Sequence, residues 1–152
     1  MKNTVDASAL KEGRSDEREQ VSLANASKRA LDQRYEATFT VTTAATGVAT
    51  TIWNSDDMPI NSAWEVQATV LGRASAGGGA RGRYVVEGLF YRDAGAAVQE
   101  GATLLVVAIE SVAALDVQFA VLGNAVTLTV QDDGVRTVDW SAMIKLREVK
   151  TS

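Results

Sequence analysis

A chain of 152 residues with neither cysteine nor histidine has no disulfides, no thiolate metal site, and neither the commonest general base nor the commonest metal ligand. Its formal charge is −4 and its 15 Lys and Arg residues are scattered, so no stripe tracks phosphates and nucleic acid is not an expected partner. The longest apolar run, residues 104–109, is far short of the roughly 20 residues that span a bilayer.

The first six residues lack the apolar stretch of a secretory signal, and the expectation is a soluble protein with no membrane partner. Residues 1–13 are mostly polar, with Val5 and Leu10 as the sizeable apolar groups after Met1, and read as an arm outside any core. Residues 16–34 are rich in Ala, Glu, Lys, Arg and Gln, which predicts a helix, and Asp16 and Glu17 suit the positive end of its dipole. Leu23, Ala26, Ser27, Ala30 and Leu31 share one narrow face at helical spacing. So thin an apolar stripe does not hold a lone helix together. Residues 1–35 are therefore expected to attach to a partner through Val5, Leu10, Leu23, Ala26, Ala30 and Leu31.

From residue 36 the period changes to two. Phe39 and Val41 alternate with threonines, and a second strand runs from Val48 to Trp53. Trp64, Val66, Ala68 and Val70 alternate with Glu65, Gln67 and Thr69 in a third. A fourth covers residues 83–92. Residues 103–110 are almost continuously apolar, which predicts a strand covered on both faces. The closing stretch, Leu115 to Val149, reads as consecutive antiparallel strands turned at Gly123-Asn124 and Asp133-Gly134. About eight short strands between Gly, Asn and Asp turns predict a mainly β domain over residues 36–152, an antiparallel β-sandwich of jelly-roll type. A chain of this length with 46% hydrophobic residues can bury its core without staples.

Several motifs invite chemistry and fit turns or core better. Gly77-Gly78-Gly79 leads through Arg81-Gly82-Arg83 into a strand, not through Gly-Lys-Ser/Thr into a helix, so it is a hairpin loop rather than a phosphate loop, and its two arginines suit a contact with a neighbour. Asp56-Asp57 and Asp132-Asp133 lack the spacing of a calcium loop, and Asp133-Gly134 is turn chemistry. No serine has a histidine to activate it. No metal, cofactor or catalytic residue is assigned, and the expectation is a protein that is not an enzyme. Trp64 and Trp140 share parity with the apolar residues of their strands and read as core. Trp53 is out of phase with Ile52 and reads as exposed, so Trp53, Gly77, Gly78, Gly79 and Arg81 form the candidate contact loop.

The run from Trp64 to Arg73, the glycine loop, the run from Gly82 to Asp93, and the alternating stretch from Leu115 to Val149 together resemble a module of tailed-bacteriophage structural proteins. That resemblance implies a β-sandwich that trimerises within the virion. With a short arm and helix in place of a shaft, it implies a homotrimeric capsid decoration (cement) protein. Such a protein is made in the host cytoplasm and held on the major capsid protein, or on another virion protein, at the phage head surface. The alternative is a receptor- or glycan-binding tip of a fibre or spike, with Trp53, Tyr84 and Tyr91 displayed beside the glycine loop.

Overall fold

The computed structural model describes residues 34–75 and 79–150. Val5, Leu10, Leu23, Ala26, Ala30 and Leu31, with the expected arm and helix, lie outside the described residues, as do Gly77 and Gly78. The rest is all β. Eight strands follow in order: β1 (Arg34–Ala44), β2 (Thr50–Asn54), β3 (Ser62–Ala74), β4 (Arg81–Arg92), β5 (Val98–Glu110), β6 (Asp116–Leu122), β7 (Ala125–Gln131) and β8 (Thr137–Lys150).

They form two antiparallel sheets, one of five strands in the order β1-β8-β3-β4-β5 and one of three in the order β2-β7-β6. The alternation in the sequence sets which face of each strand turns inward. Val66, Ala68 and Val70 of β3, Val86 and Phe90 of β4, and Trp140, Ala142 and Ile144 of β8 line the inner face of the large sheet. They meet Val117 and Phe119 of β6 and Leu128 and Val130 of β7. Each such buried aliphatic side chain contributes about 1.5–3 kcal/mol of transfer free energy. Phe90 and Phe119 join the layers edge to face with centroids 5.7 Å apart.

The closing stretch is not one run of neighbouring strands. β6 and β7 are a hairpin, but β8 crosses to the other sheet and inserts between β1 and β3. The alternation is the same for either pairing, so only the long-range partners distinguish them.

Two further expectations are corrected. Trp53 is 5% exposed and packs 6.5 Å from Phe39, inside the core. The register of β2 against β7 shifts between Thr51 and Trp53, and this bulge turns both Ile52 and Trp53 inward where strict alternation would separate them. The apolar run in β5 is not covered on both faces. β5 is an edge strand, and Leu104, Leu105 and Ile109 are 59%, 53% and 63% exposed. A layer of three strands is too narrow to cover a layer of five, and β5 overhangs. Its tie to the small sheet is Thr103, whose hydroxyl accepts the N–H of Phe119 at 3.1 Å and donates to that residue's carbonyl at 3.4 Å.

Candidate functional site

The outer face of the large sheet carries no second layer among the described residues, and its features gather at the end where the β3–β4 hairpin turns. Cross-strand register lays two rows of outward residues side by side. One runs Thr42, Asp139, Arg73 and Arg81, and the next runs Thr40, Ser141, Leu71, Arg83 and Ile109. Two open depressions flank Leu71 and Arg73. The first, about 650 Å³, is bordered by Thr40, Thr42, Asp139 and Ser141. The second, about 470 Å³, is bordered by Arg81, Arg83, Ile109, Glu110 and Ser111.

The row between these two runs along the inner face through Trp140, Gly72 and Gly82. A Cβ on Gly72 would come within 2.6 Å of the Trp140 ring, and one on Gly82 within 2.6 Å of the Tyr84 ring. The two rings therefore fill the layer under the cluster from inside, 6.4 Å apart, and glycine is what lets them lie flat against the strands. Tyr84 is buried, contrary to its expected place on a displayed surface, and Tyr91 is half-buried on the outer face. The Tyr84 hydroxyl donates to Glu110 Oε2 at 2.5 Å. Burial, the hydrogen bond to Glu110 and the negative charges of Glu110 and Asp116 all push its ionisation upward, so it stays a neutral donor.

The hairpin is pinned on both sides. Ser75 donates through its N–H at 3.1 Å and its hydroxyl at 3.3 Å to the Thr137 carbonyl. On the other side the Ser111 hydroxyl accepts the Arg81 N–H at 2.9 Å and donates to the Gly79 carbonyl at 3.1 Å. Gly79 is exposed at φ +72°, a backbone position that favours glycine, and Arg81 is exposed beside it. Of the residues expected to form a contact loop, Gly79 and Arg81 are thus together at one surface, and Trp53 is not. Sequence reasoning passed over Arg73, Leu71 and Ile109. Their outward parity was legible, but the pairing that gathers them with Arg81 and Arg83 from three strands was not.

Among the described residues no group of three or more acidic side chains is placed to hold a metal ion. What the outer face offers is guanidinium, hydroxyl and aliphatic surface in an open setting.

No known family matches the chain and no curated protein matches it in sequence. Among solved structures the fold matches part of the tailspike protein of Acinetobacter baumannii phage AM24, with a TM-score of 0.54 at 8% identity. The match covers 79% of this chain and 27% of that one, so the chain spans about a quarter of that spike's length. A weaker likeness, TM-score 0.39 at 13% identity over 74% of this chain and 17% of the other, is to tailspike gp49 of Acinetobacter baumannii bacteriophage Fri1, a capsular polysaccharide depolymerase. The expectation that the chain is not an enzyme does not stand, because it rested only on missing residue types. The lack of histidine and cysteine excludes less than it suggested, because glycan cleavage can run on a pair of carboxyl groups alone. At these identities the likeness is one of fold: the chain shares its sandwich with a region of a phage tailspike.

Proposed function

We propose that this chain is a module of a bacteriophage spike or fibre tip that holds the virion to saccharides on the host surface. The observation that carries this reading is the match of nearly four-fifths of the chain to part of the AM24 tailspike. The open outer face, with its hydroxyls and aliphatic side chains around two depressions, supports it as a place for sugar rings. The fold likeness is to a tailspike, so the spike reading is preferred to the cement-protein reading. The test is binding of the purified protein to immobilised surface polysaccharides from a panel of encapsulated bacteria, including the strain its phage infects. Saturable binding to one of them is expected, and binding to none would refute the proposal.

The same reading includes association with further copies of this chain along β5. That strand has thirteen residues, no Lys, Arg or Pro, and more than half of the surface of Leu104, Leu105 and Ile109 open. Edges of that kind recruit another strand unless something covers them. Every copy bears the same edge, so a symmetric assembly covers all of them at once.

A further inference from the structure

We infer that Arg73, Arg81 and Arg83 form a subsite for carboxylate-bearing saccharide units, so that the glycan this module takes is acidic. The inference rests on the saccharide-binding reading above and adds the charge of the ligand to it.

Arg73 and Arg81 are direct partners across β3 and β4, and Arg83 lies two residues further along the same face. Like charges placed opposite one another weaken a sheet. All three are exposed, and none has an ion-pair partner among the described residues. Two other pairs on this face are arranged differently. Arg147 pairs with Glu65, and Gln67 donates to Glu87 at 2.6 Å. The two carboxylates bordering the cluster are already engaged: Asp139 accepts the Thr42 hydroxyl at 2.7 Å and Glu110 accepts the Tyr84 hydroxyl at 2.5 Å. A chain with formal charge −4 thus keeps three guanidinium groups together, and none of them closes an ion pair with the carboxylates nearby.

The cluster is also held in place. The hairpin is tied to Thr137 on one side and to Ser111 on the other, so the strand ends bearing the arginines are fixed before a ligand arrives. A guanidinium presents a planar fork of donors that matches a carboxylate. Leu71 and Ile109 give aliphatic surface for the C–H face of a sugar ring, and Thr40, Ser141 and Ser111 give hydroxyls beside it. An acidic peptide is the less suitable occupant. β3 and β4 are interior strands paired on both edges, so no backbone is free there for a peptide to add to as a strand.

The test uses the full chain with three acidic probes, polygalacturonate, hyaluronan and polysialic acid. Carboxyl-reduced polygalacturonate serves as the neutral control and polyglutamate as the protein-like anion. At least one acidic glycan is expected to bind, more weakly at high salt, and the double variant Arg81→Gln/Arg83→Gln should lose about tenfold or more of that affinity. Arg147→Gln, on the same face but outside the cluster, should bind as the parent does. Circular dichroism and melting of the variants establish that they fold. Equal binding of the reduced polymer, equal or tighter binding of polyglutamate, an unaffected double variant, or binding to none of the three acidic probes would each overturn the inference. If the protein meanwhile binds neutral glycans, the proposed spike function survives and only the acidic subsite falls.

Discussion

Asp132 Oδ1 accepts the backbone N–H of Gly47 at 2.6 Å, joining residues 85 apart in sequence. The same oxygen accepts the N–H of Gly134 at 2.8 Å, and Oδ2 takes that of Thr46 at 3.4 Å. One buried carboxylate therefore closes both connections that pass between the sheets here, β1 to β2 and β7 to β8. The two glycines adopt φ +65° and φ +73°, and a Cβ on Gly47 would stand 3.4 Å from the Gly134 Cα. That spacing is ordinary contact, and it is the positive φ at both positions that calls for glycine.

Replacing this acceptor strands several backbone donors at once. Asp132→Ala is expected to lower the unfolding free energy by about 3 kcal/mol, since each buried polar group left unpaired costs about 1–3 kcal/mol. Urea unfolding followed by tryptophan fluorescence measures it. A loss no larger than that of an exposed substitution such as Asp57→Ala would show that the two connections do not depend on this lock.

The same group predicts a pH dependence. Burial works to raise the Asp132 pKa, but the N–H groups of Gly47 and Gly134, the Thr43 hydroxyl and the N–H of Thr46 outweigh it and hold the carboxyl below its ordinary range. A depressed folded value means a stabilisation that is complete above the unfolded value, near pH 4, and is lost as the pH falls through the folded one. Stability should therefore drop on acidification below about pH 4, and Asp132→Asn should flatten that part of the profile. An identical acid profile in the variant would place the dependence on other carboxylates.

Gly72→Ala tests the layer beneath the arginine cluster. The new methyl would come within 2.6 Å of the Trp140 ring, which is 2% exposed and has nowhere to retreat. Overpacking of this kind costs about 1–3 kcal/mol. Gly95→Ala, whose Cβ meets nothing within 4 Å, is the matched control and should leave the melting curve in place.

Trp53 separates the structural from the sequence-based account of the same residue. A displayed sugar platform would tolerate Trp53→Ala without loss of stability. A core residue packed on Phe39 should instead lose about 3–5 kcal/mol, read as a lower denaturation midpoint.

Association along β5 should give way to a charge on its exposed edge. Leu105→Lys is expected to shift the protein towards monomer in analytical ultracentrifugation while leaving the circular dichroism spectrum unchanged, because Leu105 is 53% exposed within one chain. An unchanged sedimentation profile would move the contact between copies to another surface.

The strands themselves were legible from residue order, because alternation is a local property and a period of two reports which side chains face inward. Trp64 and Trp140 as core, the turn at Gly134 and the mainly β class follow from it. Partnership was not legible, since the apolar pattern of β8 is equally satisfied beside β7 or between β1 and β3. The bulge that turns Trp53 inward, the overhang of β5, and the meeting of Arg73, Arg81, Leu71 and Ile109 at one surface are all consequences of pairing. Pairing depends on contacts between residues far apart in the chain, and only the assembled sheets decide it.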